Sequence, residues 1–390
     1  MGDGSSGGEA TTGGRIGVLA SSAKENERRL PIHPEHLADL PPHVRGKLWF
    51  ETGYGERFGF SDEELAELSG GVADQDALFE DSDVVLLPKP TVDDVSKMHA
   101  GQTLWGWAHL VQDAALTQAA IDRGISVVAW EDMYAWDEDG NQGPHTFGAN
   151  NELAGYSSVM HALQLKGRTG QYGPPLSAAI IGFGSTGRGA LKALDAMGVA
   201  RIDVLSARDI AEPLAHRAEV RTFQVDPDSS RSSVGRRPQI SGEPMSDFLL
   251  GHDIVVNCVL QDPTDPAMFL ERSDVEDLDS ELLVVDVSCD EGMGFEWAVP
   301  TTFEEPMFRP APKVDYYAVD HSPSLYADSA TWEISRALLP FVELMTGPSV
   351  SGADDPTLTR AFAMDSGRIL DERILRFQNR SEEAPHRVLN

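Results

Sequence analysis

The stretch that most limits what this chain can fold into is LSAAIIGFGSTGRGALKALDAMGVARIDVLSAR, residues 176–208. An apolar run from Ala178 to Ile181 enters Gly182-x-Gly184-x-x-Gly187. A helical pattern follows, with Leu191, Leu194, Ala196 and Met197 on one side, and Ile202 to Leu205 forms a second apolar run. The order is strand, glycine turn, helix, strand. In that setting each glycine has its own task. Gly182 permits the tight turn, Gly184 lets backbone approach a pyrophosphate, and Gly187 lets the helix lie close on the strand. The free N–H groups and positive dipole end of the helix then face the phosphates, so Ser185 and Thr186 join the glycines as expected cofactor contacts.

The end of the second strand bears on which dinucleotide is bound. An NAD-binding unit usually carries Asp or Glu there, about 20 residues past the glycines, to hold the ribose 2′-OH. Here the residues are Ser206-Ala207-Arg208. No carboxylate opposes a 2′-phosphate, and Arg208 is able to pair with one. NADP(H) is therefore favoured, with Ser206 and Arg208 as contacts. NAD(H) stays open, since Arg208 can equally be solvated while Asp209 turns back to the ribose.

A chain of 390 residues has room for two domains. Its 63 acidic and 31 basic residues give a net charge of −32, which argues against nucleic acid or an anionic membrane as partner. The two cysteines, Cys258 and Cys289, lie in apolar runs and read as buried thiols, which suits a reducing cytoplasm. No Cys/His spacing suggests a metal, no apolar run reaches membrane length, and no signal peptide is visible. Residues 1–14 read as a polar, disordered tail.

From Arg15 the pattern alternates strands with helices. Ile16 to Ala20 is a short strand. Pro31 and Pro34 fix a loop before the next helix. Ser61 with Glu64 makes a capping box. Val84 to Leu87 is a buried strand that ends in Pro88-Lys89-Pro90, and Leu104 to Ala108 is another that ends in His109. Ligands of such sheets bind beyond the C-terminal ends of the strands. A lysine and a histidine meeting there can serve as acid and base. A solvated lysine and a hydrogen-bonded core histidine would look the same. Residues 150–163 read as a helix, a candidate hinge. Residues 224–246 read as a long polar loop with Arg231, Arg236 and Arg237 solvated. Residues 324–346 and about 355–378 read as helices. The expected organisation is α/β: a substrate domain over 15–150, a dinucleotide-binding Rossmann domain over 151–322, and C-terminal helices over 323–380 that return to the first domain.

Several stretches resemble one family, that of alanine dehydrogenase, the carboxyethyl-ornithine synthases and the lysine-forming saccharopine dehydrogenases. LPIHPEHL (30–37), GYGERFGFSD (53–62) and AGYSSVMHAL (154–163) are most similar to carboxyethyl-ornithine synthase. VVDVSCD (284–290), VDHSPSL (319–325) and LLPFVELM (338–345) are similar to saccharopine dehydrogenase. The likeness covers roughly residues 15–346. It implies two Rossmann-like α/β domains around a cleft, the second binding the dinucleotide. It also implies that Arg29 holds a substrate carboxylate, that Lys89 holds or deprotonates substrate, and that His109 is the general acid/base. Asp290 falls where alanine dehydrogenases carry an aspartate near cofactor and substrate. His321 falls where they carry an asparagine near the nicotinamide, and so departs from them.

The chemistry this resemblance implies joins an amine to a 2-oxo acid as an imine, which hydride from the nicotinamide reduces. The expected partners are thus small molecules, an amino acid and a 2-oxo acid, and a homo-oligomer is allowed. A 2-oxoglutarate substrate needs a second cationic anchor. Where fungal saccharopine dehydrogenases have an arginine pair, this chain has GNQGPHTFGAN (140–150), with His145 and no arginine. That favours pyruvate, and an opine-type dehydrogenase close to carboxyethyl-ornithine synthase becomes the leading expectation. Saccharopine dehydrogenase, alanine dehydrogenase and a nucleotide sensor without catalysis are the alternatives.

Overall fold

The computed structural model describes residues 14–211, 213–227, 232, 235–261, 265–347 and 355–389. Residues 1–13 of the expected 1–14 tail and Arg231 lie outside the described residues. The chain forms two compact units, one of Met1–Phe147 with Thr331–Asn390, the other of Gly148–Ala330. The helix Ala327–Met345 starts in the second unit and ends in the first.

The first unit is built on six parallel strands: β1 (Ile16–Val18), β2 (Leu48–Glu51), β3 (Gly71–Ala73), β4 (Val84–Leu86), β5 (Thr103–Gly106) and β6 (Ser126–Ala129). Their order across the sheet is β6-β5-β4-β1-β2-β3, so the order reverses between β4 and β1. β1, β4, β5 and β6 are buried at every position, as strands covered on both faces must be. β5 ends at Gly106 for a steric reason. A Cβ there would sit 1.9 Å from the Leu87 carbonyl oxygen, so only glycine lets the two chains pass. The Trp107 N–H then bonds the Pro88 carbonyl at 2.9 Å, and the chain leaves the sheet. His109 accordingly lies in a loop three residues past the strand and not at its end.

Residues 355–378 are not continuous helix. They form helix Pro356–Ala361, an antiparallel hairpin of Phe362–Asp365 with Arg368–Ile369, and helix Glu372–Phe377. Ser366 and Gly367, both at positive φ, make the turn. The hairpin extends the first sheet by pairing antiparallel with β6.

The second unit holds β7 (Ser177–Ile181), β8 (Arg201–Ser206), β9 (Glu219–Asp226), β10 (Ile254–Asn257), β11 (Leu282–Asp286), β12 (Met307–Ala311) and β13 (Val314–Tyr317). The order is β9-β8-β7-β10-β11-β13-β12, parallel except for β12. Alternate residues of β7 enter opposite cores: Ala179 and Ile181 on one face, Ala178 and Ile180 on the other. Both units are therefore Rossmann-like. The expected 224–246 loop is shorter than read, because β9 runs to Asp226 and a small hairpin follows at Gln239–Ile240 and Glu243–Pro244. Arg236 and Arg237 are not solvated. They pair with Asp265 at 3.1 Å and Asp274 at 2.8 Å. Cys258 and Cys289 are free thiols, half-buried and not fully buried.

Replacing Gly106 by Ala should cost about 3 kcal/mol or more, because a backbone carbonyl has nowhere to go. Thermal unfolding checks this, and an unchanged midpoint would contradict the close approach.

Candidate functional site

In the second unit the glycines divide their tasks by geometry. Gly182 has φ +86°, and a Cβ on it would come within 2.8 Å of Val259. A Cβ on Gly187 would lie 2.2 Å from the Gly182 carbonyl oxygen, so that residue sets the approach of helix Ser185–Ala196 to β7. Gly184 has nothing within 4 Å of its Cβ position and caps the helix with no side chain. The turn thus leaves an open cradle in front of unsatisfied helix N–H groups, which fits a pyrophosphate. Ser185 and Thr186 begin that helix. Ser206 ends β8, and its hydroxyl is held locally, accepting from the Arg208 N–H at 3.1 Å and donating to the Arg208 carbonyl at 2.8 Å. Arg208 is exposed, and its guanidinium bonds no described residue.

Asp290 is half-buried in the loop after β11. Its neighbour Cys289 has φ +47°. Asp286, at the end of β11, is a different kind of carboxylate. It accepts from Asn257 Nδ2 at 2.9 Å, the Tyr316 hydroxyl at 2.8 Å and the Cys289 N–H at 3.1 Å. Burial pushes its pKa up to about 6, against the pull of these donors. His321 is buried, its ring against the Asp320 carboxylate and edge-on to Phe303 at 4.8 Å.

In the first unit the loops after β1, β4, β5 and β6 carry the remaining residues. The Ser22 hydroxyl donates to the Lys89 carbonyl at 2.5 Å, tying the loop after β1 to that after β4. Arg29 is 5% exposed. Its Nε and Nη2 donate to Glu27 at 2.9 and 2.5 Å, and its guanidinium lies 4.7 Å over the Trp107 ring. Trp107 meets Trp130 and Phe147 at ring separations of 4.7 and 5.1 Å. Arg29 thus belongs to a buried ion pair packed on Trp107.

Glu131, just past β6, is the residue the sequence reading missed. Its Oε1 accepts from the backbone N–H of His109 at 2.5 Å. Its Oε2 is buried with no hydrogen-bond partner. Burial pushes its pKa up to about 7, and Asp132 adds to the rise. The His109 N–H and the charge of Lys89 pull the other way. One carboxyl therefore bonds the His109 backbone and feels the charge of Lys89, with its pKa pushed up to about 7. Its only signal in the sequence was a glutamate directly after an apolar strand, in ISVVAWE. His145 is turned inward. Its Nε2 donates to the Glu131 carbonyl at 3.2 Å and its Nδ1 accepts from the Phe147 N–H at 3.0 Å, while burial lowers its pKa.

Two family models match this chain. Alanine dehydrogenase/PNT, N-terminal domain, covers residues 17–147, and the corresponding C-terminal domain covers residues 166–372. The chain belongs to the alanine dehydrogenase/PNT family. It is 26% identical over 369 residues to an alanine dehydrogenase of Halomonas elongata, covering 90% of this chain and 94% of that one. It is also 26% identical over 335 residues to an N(5)-(carboxyethyl)ornithine synthase of Clostridium botulinum, covering 79% and 90%. In fold it is similar to a solved L-alanine dehydrogenase, with a TM-score of 0.70 at 19% identity over 93% of this chain and 98% of that one. Membership supports a dinucleotide-dependent oxidoreductase acting on amino-acid and 2-oxo-acid substrates. Among the described residues no helix is long and apolar enough to cross a membrane.

The raised pKa of Glu131 has a consequence for stability. The folded state holds its proton up to about 7, whereas the unfolded chain releases it near 4.5, as an ordinary glutamate does. Stability from this group is full below the lower value and is lost as pH rises through the upper one. Glu131→Gln should therefore stabilise the protein at pH 8 by about 1–3 kcal/mol and have little effect at pH 5. Equal shifts in denaturation midpoint at the two pH values would contradict the assignment.

Proposed function

We propose that this protein is a dehydrogenase of the alanine dehydrogenase type, joining a small 2-oxo acid to an amine and reducing the imine. The observation that carries the reading is the gathering of Arg29, Lys89, His109 and Glu131 on the C-terminal edge of one parallel sheet. Ammonium is the leading amine, because the relatives favour alanine dehydrogenase over the opine-type expectation. Pyruvate is the leading oxo acid, because both ring nitrogens of His145 are engaged by backbone. That ring offers no anchor to the second carboxylate of 2-oxoglutarate, which weakens the saccharopine reading.

The roles follow from the chemistry of each group. Arg29, pre-oriented by Glu27, binds the oxo acid's carboxylate through its remaining N–H groups. Lys89 holds the carbonyl oxygen and takes or gives its proton. His109 moves the proton on the attacking nitrogen and on departing water. Glu131 holds the proton balance of the pair near neutral pH. Trp107, packed on Arg29 and backed by the buried Trp130 and Phe147, keeps water from the imine. A bound nicotinamide supplies hydride. Gly182, Gly184, Ser185, Thr186 and Gly187 bind the pyrophosphate, with Asp290 and His321 assigned to the nicotinamide end. Arg208, exposed and unpaired by its guanidinium among the described residues, favours NADP(H).

A second reading keeps the oxo acid and exchanges ammonium for the amine of ornithine or lysine. The likeness to carboxyethyl-ornithine synthase and the histidine at 321 favour it.

Oxidation of NADPH and of NADH with pyruvate or 2-oxoglutarate, each with ammonium, ornithine or lysine, separates these readings. Turnover with pyruvate and ammonium alone is expected. An absolute need for a diamino acid would move the function to the opine class, and cofactor binding without turnover in any pair would overturn the enzyme reading. Lys89→Met and His109→Ala should each lower kcat by about 100-fold or more with cofactor affinity unchanged. Near-normal rates in both would sink the acid–base assignment. Arg208→Ala should weaken NADPH binding more than NADH binding, and equal effects would remove Arg208 from the 2′-phosphate.

A further inference from the structure

His109 stands on backbone that side-chain-bearing residues rarely adopt, with φ +47°. Such a conformation persists only where its surroundings over-determine it. One constraint is the bond from the His109 N–H to Glu131. The His109 carbonyl also accepts from the Gln112 and Asp113 N–H groups at 3.1 and 3.0 Å. A further constraint comes from the C-terminal segment. Gln378 closes helix Glu372–Phe377, and its Nε2 donates to the carbonyls of Leu110 at 2.6 Å and Val111 at 3.3 Å, the two residues that follow His109. The same amide nitrogen reaches the Thr117 hydroxyl at 3.1 Å, and that hydroxyl donates to the Leu110 carbonyl at 2.8 Å.

The orientation of the Gln378 amide is fixed from its other end. Its Oε1 accepts from Arg380 Nε at 2.6 Å, and Arg380 is 5% exposed. The remaining acceptors of that guanidinium are the Gln118 amide oxygen and the carbonyls of His386 and Ala114. All are neutral. A buried arginine with only neutral acceptors orders its neighbours and neutralises none of them. It leaves Gln378 one way to turn, with its donors toward the His109 loop.

We propose that Gln378, oriented by Arg380, is the positioning residue for His109: it holds the Leu110 and Val111 carbonyls so that the imidazole keeps its place in the acid–base set. This rests on the reading of His109 as that acid/base. The C-terminal segment is then part of the working site without touching substrate, and the active geometry forms only once the end of the chain has docked.

The test uses the full-length protein with Gln378→Leu, with Thr117→Val as a milder release of the same carbonyl, and with the exposed Arg376→Ala as control. Two readouts are taken: steady-state kinetics across pH, and the NMR titration of the His109 ring, identified as the resonance missing from His109→Asn. Gln378→Leu should lower kcat about 10- to 100-fold with cofactor affinity unchanged, and should move the midpoint of the His109 titration. Thr117→Val should do the same to a smaller degree, and Arg376→Ala neither. Unchanged kcat and an unmoved titration overturn the proposal, as does a loss of kcat with the titration unmoved. If Gln378→Leu does not fold, Thr117→Val decides. If the wild type turns over no substrate pair, the acid/base reading fails, and the ring titration still shows whether Gln378 positions His109.

Discussion

The central parallel strands of both units are buried, and that burial sets where the functional loops lie. Val84, Val85 and Leu86 are fully buried, each contributing about 1.5–3 kcal/mol relative to exposure. Parallel strands all end at the same edge, so the loops after β1, β4, β5 and β6 have to emerge together. The left-handed backbone at His109 costs about 1–3 kcal/mol. Strand burial exceeds that cost, so the strain is taken up in the loop and the sheet stays regular. Gly106 marks where the two demands meet, because the Leu87 carbonyl passes through the space a side chain would fill.

The charges at that edge are handled in two ways. Arg29 and Glu27 leave water together, joined by two hydrogen bonds from the guanidinium and one from the Arg29 backbone N–H, which keeps a buried cation from standing alone. Glu131 is half-buried, with one oxygen satisfied by the His109 N–H and the other buried and unpartnered. Desolvation then outweighs the attraction of Lys89, and the carboxyl is poised between its two protonation states near pH 7. In the proposed reaction, which hands protons over during condensation and again during reduction, such a group is an advantage. Asp286 in the second unit differs, since three donors satisfy it and fix it as part of the sheet end.

Much of this was legible in the sequence, for reasons that differ by residue. The glycine turn was readable because Gly182 and Gly187 have steric duties, which the close Cβ approaches at those two positions express. The capping box at Ser61 and Glu64 was readable because its contacts span three residues. Glu131 was not, since its burial and its bond to His109 join residues 22 apart through the fold. The hairpin at 362–369 was read as helix because its pairing partner, β6, lies far away in the chain. Arg236 and Arg237 looked solvated for the same reason: Asp265 and Asp274 reach them only after folding.

The central claim is that hydride reaches the carbon of an imine made from a small 2-oxo acid. The most direct measurement supplies reduced cofactor deuterated at both C4 positions, with pyruvate and ammonium, and reads the product by mass spectrometry. The account predicts an amino acid carrying one deuterium, bound to its α-carbon. An undeuterated product, or a deuterated 2-hydroxy acid in its place, would contradict it.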